Sequence, residues 1–270
     1  MASLCYVNIT EEEPSLPYLT IVQKVFDQVA RADTKIDIKS VKSGLSRAFD
    51  PIYSYFALLN KVAIIDKIIE ADREGYDAAI VGCFFDPGVR EAREIVNIPV
   101  IGLAESTMLF ACFLGHRFAI VTINERKGIP EVENLIRLYG LESRAITNPV
   151  RTIDMPTIEV FTKGMEHPEI VAADILEQSK KCVADGAEAI AVGCNGLGPL
   201  CTVSNVVEVE ESHTPILDCV SVAIKVAETV VDSRKALGIP TPSRAGLYKG
   251  PKEKDIKRVR TLFGRNYSGC

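Results

Sequence analysis

Gly75-Tyr-Asp-Ala-Ala-Ile-Val-Gly-Cys83 occurs a second time in this sequence in closely similar form, as Gly186-Ala-Glu-Ala-Ile-Ala-Val-Gly-Cys194. Each copy places a cysteine eight positions after a glycine, at the end of an apolar run. Loop-forming residues follow, Phe84-Phe-Asp-Pro-Gly88 in the first copy and Asn195-Gly-Leu-Gly-Pro199 in the second. Both thiols are therefore predicted where a buried strand gives way to a loop, a usual place for chemistry in an open α/β sheet.

The similarity between the two copies continues beyond the cysteines. Ile98-Pro-Val-Ile-Gly102 follows the first cysteine and Thr214-Pro-Ile-Leu-Asp218 follows the second, and a helix-like segment comes after each. A duplicated α/β half with one longer connecting loop explains this pattern. If the halves face each other across a pseudo-twofold axis, the two thiols meet over one cleft.

Short apolar runs alternate with segments of helical periodicity along the whole chain, which is typical of βαβ units and a mainly parallel sheet. The predicted strands cover residues 4–8, 36–41, 75–83, 100–103, 117–122, 186–194 and 216–218. The predicted loops and tail cover residues 9–17, 43–46, 195–204 and the part after Pro240. A short helix is predicted over 206–211, and the final long helix over 221–237.

Composition excludes several classes of partner. The chain has 270 residues and a formal net charge of −5, so nothing in its overall charge attracts nucleic acid or anionic membranes. No apolar run approaches the roughly 18 residues that a membrane span needs, and no signal peptide is recognisable at the start. We therefore expect a cytoplasmic protein that binds a small molecule, contacts neither nucleic acid nor membrane, and forms a homo-oligomer.

The eight cysteines have neither a disulfide-framework spacing nor a Cys-x-x-Cys pair, and most are predicted to be small core residues. Cys83 and Cys194 differ from the others by their place in the repeat. A thiolate in a loop rich in backbone N–H groups has a lowered pKa and accepts a proton near neutral pH, while a neutral thiol donates one. Two such groups on opposite sides of a carbon acid would invert its stereocentre, provided that fixed donors stabilise the developing enolate.

The chain resembles the aspartate/glutamate racemase superfamily, and within it the hydantoin racemases, which include the allantoin racemases. The matching segments are Gly82-Cys-Phe-Phe-Asp-Pro-Gly88, Ala92-Arg93, Pro99-Val-Ile-Gly102, Ala104-Glu105, Leu114-Gly115, Arg117-Phe-Ala-Ile-Val-Thr122, Arg126, Gly186-Ala-Glu-Ala-Ile190, Gly193-Cys194 and Ser243-Arg-Ala-Gly-Leu-Tyr248. The resemblance implies an α/β fold of two pseudo-symmetric lobes, each a mainly parallel sheet flanked by helices, with the active site in the interlobe cleft. It also implies racemisation by two cysteines without a cofactor.

Lobe boundaries follow from this combination of repeat and resemblance. We expect residues 1–104 together with 219–270 to form the first lobe and residues 105–218 to form the second. The helix after each repeat is expected to cross to the other lobe. No metal site is expected, because His116, His167 and His213 lie far apart in the sequence without ligand spacing.

Five residues are predicted to bind substrate beside the catalytic pair Cys83 and Cys194: Asn8, Phe84, Thr122, Asn195 and Gly196. Asn8 and Thr122 occupy equivalent strand ends in the two halves, where loop capping is the competing explanation for each. Phe84 is equally suited to the core, and Asp86 to capping a turn.

Two short segments depart from the hydantoin racemase pattern. Asn8-Ile-Thr10 keeps the first and last residues of the usual Asn-Pro-Asn-Thr, and Asn195-Gly-Leu197 replaces the usual Ala-Gly-Met after the second cysteine. The amide of Asn195 can hydrogen bond a carboxylate, a carbonyl or a ring N–H. Asn195 therefore affects which substrate is accepted, because a site built to hydrogen bond a group strongly rejects a substrate that lacks it.

The sequence predicts a racemase or epimerase that acts on a hydantoin-like or amino-acid-derived substrate by two-cysteine proton transfer. The alternatives within the superfamily are an aspartate or glutamate racemase, an arylmalonate-type decarboxylase and a maleate-type isomerase. The last two need not use two symmetric thiols, so the presence of both here disfavours them. A non-catalytic small-molecule sensor with the same fold is the alternative from a different class.

Overall fold

Two sheets form the framework of the protein. The computed structural model describes residues 1–47 and 50–265. The strands of the first sheet are β1 (Ala2–Thr10), β2 (Thr34–Leu45), β3 (Ala78–Gly82) and β4 (Val100–Gly102). Those of the second are β5 (Phe118–Thr122), β6 (Ala145–Thr152), β7 (Ala189–Val192), β8 (Glu208–Val209) and β9 (Thr214–Asp218).

The two sheets repeat one topology. The first has the order β2-β1-β3-β4 and the second the order β6-β5-β7-β9-β8. All pairs are parallel except β8 with β9, which is antiparallel at the sheet edge. β3 lies between β1 and β4 just as β7 lies between β5 and β9, so the two cysteine-bearing strands occupy equivalent places. The predicted α/β class with two mainly parallel sheets is confirmed.

Eleven helical segments of the described chain cover these sheets. They are α1 (Glu12–Val29), α2 (Ser54–Arg73), α3 (Val89–Ile95), α4 (Leu103–Leu114), α5 (Gly128–Leu138), α6 (Thr157–Val160), α7 (Lys163–Glu166), α8 (Pro168–Ala184), α9 (Gly198–Val203), α10 (Cys219–Leu237) and α11 (Glu253–Leu262). Within residues 1–47 and 50–265, every helix is too short or too polar to span a bilayer.

Two helices connect the lobes. α4 follows the first sheet but packs on β7 and β9 of the second, and α10 follows the second sheet but packs on β1, β3 and β4 of the first. α4 and α10 also pack against each other. The lobe boundaries given above, after residues 104 and 218, stay a prediction.

The glycine that opens each repeat ends the preceding helix. Gly75 follows α2 with φ +81° and Gly186 follows α8 with φ +96°, in the left-handed region that favours glycine. The N–H of the next residue, Tyr76 or Ala187, donates back to a carbonyl in the last helical turn, as in a Schellman motif. Each repeat then enters a strand whose residues are all buried, as expected for a parallel sheet covered on both faces.

Three predicted loops were wrong. Residues 9–17 are not a loop, because β1 runs to Thr10 and α1 begins at Glu12. Pro14 lies in the first helical turn, where an N–H has no helical partner, and the acidic residues there favour the positive helix end. The loop predicted over 195–204 contains α9, whose Pro199 is suited to a helix start. Likewise β2 continues to Leu45 through the loop predicted over 43–46.

The edge of the second sheet and the C-terminal region also differ from the prediction. Residues 206–211 form β8 and a 3₁₀ turn rather than a helix, because Glu208 and Val209 pair with β9. The tail contains α11, which packs Ile256 on the first lobe. Arg260 binds Asp66 of α2 at 2.6 Å. The tail is therefore docked on the first lobe rather than irregular throughout.

Candidate functional site

A cavity of about 200 Å³ opens at the carboxyl ends of β1, β2, β5 and β7, so both sheets contribute to it. Residues of α1, α6 and α7, with Phe161 directly after α6, complete its wall. The lining residues are Asn8, Ile9, Thr10, Pro14, Ser15, Pro17, Tyr18, Ser46, Arg47, Ile123, Ile158, Phe161, Met165, Cys194 and Asn195. Cys194, Asn8 and Asn195, all predicted site residues, are thus brought together between the lobes.

Cys194 reaches the cavity from the loop after β7. Its thiol accepts a hydrogen bond from the backbone N–H of Gly196, 3.3 Å away, and a second from the N–H of Leu197. Gly196 allows a close approach of α6, because a Cβ there would lie 2.5 Å from the ring of Phe161. Gly196 therefore acts through its backbone, as a donor to the sulfur, and is not among the residues that line the cavity.

Cys83 occupies the equivalent position after β3. It is buried, and the backbone N–H of Phe85 hydrogen bonds to its thiol. In each lobe the donor is thus the residue two positions after the cysteine. Cys83 does not line the cavity. Asn8 does line it, and Asn8 pairs in register with Gly82, the residue before Cys83. A negative charge on Cys194 raises the pKa of Cys83.

Burial dominates the protonation of both thiols. It raises the pKa of Cys83 to about 12 and that of Cys194 to about 11, from an ordinary 9.0. The backbone N–H bonds lower each pKa, but by less than the loss of water raises it. The sequence-based expectation of a lowered pKa was therefore wrong in direction. Both cysteines are neutral thiols at pH 7 when the cavity holds no substrate.

This protonation predicts how Cys194 reacts with iodoacetamide. Because only the thiolate attacks, the rate of modification should rise about tenfold per pH unit from pH 7 to pH 10. Peptide mass spectrometry of samples quenched over this range measures the rate for each cysteine. In guanidinium chloride the same rate should level off near the ordinary pKa of 9.0. A rate in the folded protein that levels off below pH 8 would contradict the raised pKa.

Asn8 and Thr122 lie on equivalent strands but differ in their surroundings, since Thr122 ends β5 whereas β1 continues past Asn8 to Thr10. The Asn8 amide donates to the carbonyl of Thr10 at 2.9 Å and to Ser40 Oγ at 3.1 Å, while its face lines the cavity. Thr122 is buried outside the lining, and its hydroxyl donates to the carbonyl of Gly193 at 2.9 Å. That bond fixes the backbone immediately before Cys194.

Phe84 lies behind the cavity wall. It is buried in the larger hydrophobic core, and a Cβ on Gly193 would come within 3.2 Å of its ring. The ring from the first cysteine loop thus packs against the backbone of the second. Phe84 is not among the residues that line the cavity.

Two buried carboxylates cap the connecting helices α4 and α10. Asp86 accepts the N–H groups of Ala104 and Glu105 at the start of α4, at 3.0 and 2.9 Å, and the hydroxyl of Tyr139 at 2.7 Å. Asp218 caps α10 in the same way, accepting the N–H of Val220 at 2.9 Å. Burial raises the pKa of Asp86 to about 6. Asp86 thus caps a crossing helix rather than only the turn that follows it.

The sequence did not identify Tyr18 or the apolar wall of the cavity. Tyr18 lies on the buried face of α1, and its hydroxyl accepts a hydrogen bond from Asn195 Nδ2 at 3.1 Å and contacts the Tyr6 hydroxyl at 2.6 Å. A tyrosine on the apolar face of a helix that follows a cleft-forming strand was the available signal, since buried tyrosines need a polar partner. The apolar wall consists of Ile9, Ile123, Ile158, Phe161 and Met165.

The charge of the cavity wall limits what can bind. Among the lining residues that the structure describes, none is acidic, and Arg47, at the exposed rim, carries the charge. Uncharged polar groups from Asn8, Thr10, Ser15, Tyr18 and Asn195 line the cavity together with the apolar residues. Such a cavity fits a neutral ligand that has both a polar and an apolar side.

Comparison with known proteins gives one family. The model of the family described as Asp/Glu/Hydantoin racemase matches residues 57–227. A hydantoin racemase from Pseudomonas sp. (strain NS671) is 33% identical over 262 residues, which covers 96% of this chain and 97% of that protein.

Solved structures agree with the sequence comparison. The allantoin racemase from Klebsiella pneumoniae superposes with a TM-score of 0.76 at 25% identity, covering 94% of this chain and 95% of the other. The allantoin racemase from Pseudomonas fluorescens gives 0.75 at 26% identity, covering 93% and 97%. The similarity therefore extends over both lobes and includes the connecting helices.

Proposed function

Because this chain belongs to the Asp/Glu/hydantoin racemase family and is a racemase, we propose that it inverts C5 of a neutral hydantoin with an apolar 5-substituent. Cys83 and Cys194 act as the acid and base, without a cofactor. The observation that carries the choice of substrate is the described cavity wall, which combines uncharged polar side chains, among them Asn195 next to Cys194, with apolar ones.

The wall distinguishes a hydantoin from a free amino acid. Aspartate and glutamate carry an ammonium group, and burying it without an acidic partner costs several kcal/mol (on the order of 2–7 for a polar group and more for an ion). The described lining offers no carboxylate for it. A hydantoin ring carries only carbonyl and N–H groups, which Asn8, Tyr18 and Asn195 can satisfy. The apolar wall then takes the 5-substituent, with Met165 adapting to its shape.

In this proposal the proton passes between the substrate and the two thiols. The thiolate of one cysteine removes the proton from one face of C5, and the C–H electron pair moves to the C4 carbonyl oxygen to give an enolate. The thiol of the other cysteine donates its proton to the opposite face of C5, and its S–H electron pair stays on sulfur. One turnover therefore exchanges the protonation states of Cys83 and Cys194.

Two features of the cysteine loops support this assignment. Each sulfur accepts a backbone N–H from the residue two positions later, which stabilises whichever thiolate forms. The raised pKa makes each thiolate a stronger base, better matched to a weakly acidic C–H. Burial thus lowers the resting population of thiolate but increases its strength once it has formed.

Substrate preference is the test of this proposal. We expect 5-isobutylhydantoin and 5-benzylhydantoin to be racemised with a kcat/KM at least about 10-fold above that of allantoin, whose 5-substituent is a polar ureido group. Aspartate and glutamate should stay optically unchanged. Chiral chromatography with a check for constant mass follows all five compounds. The proposal would be contradicted if the protein racemised aspartate or glutamate but none of the hydantoins.

A further inference from the structure

Three side chains form a hydrogen-bonded row from the core of the first lobe to the cavity. The hydroxyl of Tyr6 lies 2.6 Å from that of Tyr18, and Asn195 Nδ2 donates to Tyr18 at 3.1 Å. Tyr6 is fully buried on β1, where a Cβ on Gly82 would lie 2.7 Å from its ring. Tyr18 and Asn195 line the cavity, and Tyr6 does not.

The direction of these hydrogen bonds follows from where each proton can go. Within the described residues, the Tyr6 hydroxyl has one hydrogen-bonding partner, the oxygen of Tyr18. A buried hydroxyl proton without an acceptor is costly, so Tyr6 donates to Tyr18. The oxygen of Tyr18 thus accepts from Tyr6 and from Asn195, and both of its lone pairs are used. Its own proton is left for the cavity.

Asn195 presents the complementary group. Its Nδ2 is directed to Tyr18, and its Oδ1 makes no hydrogen bond within the described residues. Because Asn195 also lines the cavity, the wall offers a donor, the Tyr18 O–H, beside an acceptor, the Asn195 Oδ1. An adjacent donor and acceptor match an amide whose C=O and N–H lie on one edge.

We propose that Tyr18 and Asn195 bind the cis-amide edge of the substrate ring, Tyr18 donating to the C4 carbonyl oxygen and Asn195 Oδ1 accepting from N3–H. This inference rests on the proposed function. A five-membered ring holds its amide cis, so both groups face the same side. An open-chain amide is almost always trans and presents them on opposite sides, so it cannot satisfy Tyr18 and Asn195 together.

Tyr18 is then a catalytic residue, because the C4 oxygen is the atom that becomes negative in the enolate. A preorganised donor aimed at such an oxygen contributes about 10²–10³-fold to kcat. The two hydrogen bonds into the Tyr18 oxygen polarise its O–H and make it a better donor. Burial raises the pKa of Tyr18, so the hydroxyl stays protonated over the working pH range. Tyr6 is a positioning residue that fixes the Tyr18 proton toward the cavity.

Three variants separate catalysis from stability. We expect Tyr18→Phe to lower kcat on 5-benzylhydantoin about 10²–10³-fold with KM changed by less than about fivefold. It also leaves the buried Tyr6 hydroxyl without an acceptor, so the thermal midpoint falls. Tyr6→Phe keeps the Tyr18 proton and should lower kcat less than about tenfold. Tyr6→Phe/Tyr18→Phe should recover thermal stability relative to Tyr18→Phe while kcat stays low. Recovery of kcat together with stability would overturn the inference.

Asn195→Ala tests the acceptor. Wild-type protein should prefer 5-benzylhydantoin to its 3-methyl derivative, which lacks the N3–H, by about 10–100-fold in kcat/KM. In Asn195→Ala this preference should shrink to within about threefold. An unchanged preference would overturn the role of Asn195.

The outcomes distinguish this inference from the proposed function. Wild-type protein that racemises hydantoins through its cysteines, while Tyr18→Phe keeps its kcat, would overturn the inference alone. Wild-type protein that leaves every hydantoin unchanged would overturn the proposed function and the inference with it.

Discussion

Cys194→Ser is expected to stop inversion while the protein still exchanges C5–H of one enantiomer with solvent deuterium. The remaining thiolate of Cys83 removes the proton from its face of C5 and returns a deuteron to the same face. Serine hydroxyl is far too weak an acid to replace the missing thiol, and loss of a general acid or base costs about 10²–10⁴-fold. Chiral chromatography coupled to mass spectrometry measures inversion and exchange in one sample.

Cys83→Ser should behave as the mirror image, with exchange restricted to the opposite enantiomer. Cys112→Ser is the matched control, because Cys112 is a half-buried thiol of α4 outside the cavity lining. It should racemise within about twofold of wild type. Full racemase activity in Cys194→Ser or in Cys83→Ser would contradict the assignment of both cysteines to proton transfer.

Asp86→Ala is expected to lower the free energy of unfolding by about 2–5 kcal/mol. The change leaves the N–H groups of Ala104 and Glu105 and the hydroxyl of Tyr139 without their acceptor, and each buried unpaired group costs about 1–3 kcal/mol. The cost of burying the carboxylate, seen in its raised pKa, offsets part of this loss. Urea denaturation at constant m-value measures the difference.

The control and the pH dependence of this prediction are both specific. Tyr139→Phe removes one of the three donors and should cost only about 1 kcal/mol. Asp86 has a pKa of about 6 in the folded protein against an ordinary 3.8, so the folded state binds its proton more tightly. The part of its contribution to stability that depends on protonation is therefore greatest below pH 3.8 and is lost as pH rises through 6. The difference in the free energy of unfolding between wild type and Asp86→Ala should increase from pH 7 to pH 4. A constant difference would contradict the raised pKa.

The fold could be predicted because its signals are local. An apolar strand between a helix-ending glycine and a loop needs no long-range information, and it recurs at Cys83 and Cys194. The resemblance to the hydantoin racemases is confirmed by the family match and by the relatives. The errors concern β8, which is stabilised by pairing with β9, and α11, which is stabilised by contacts with the first lobe. The pairing of β8 joins distant parts of the chain and leaves no local periodicity, whereas α11 has one, since Ile256, Val259 and Phe263 recur at helical spacing.

The candidate site could be predicted only in part. Asn8, Cys194 and Asn195 follow strand ends, and the rule that ligands bind there locates them. Tyr18 and the apolar wall come from helices whose position over the cavity depends on how the chain folds back. The direction of the cysteine pKa shift depends on burial, which comes from side chains distant in the sequence, such as Val7 and Ile64 around Cys83. The roles of all seven predicted site residues stay predictions: Asn8, Cys83, Phe84, Thr122, Cys194, Asn195 and Gly196.

Racemisation of one hydantoin enantiomer in deuterium oxide decides whether two groups on opposite faces of C5 share the proton transfer. The enantiomers are separated after less than a tenth of a half-life and their masses compared. With two cysteines, the product carries deuterium from the first turnovers, because the second thiol has exchanged with solvent and delivers a deuteron, while the recovered substrate stays protiated. Product that retains the hydrogen of the substrate, or substrate labelled as fast as product, would contradict transfer between Cys83 and Cys194.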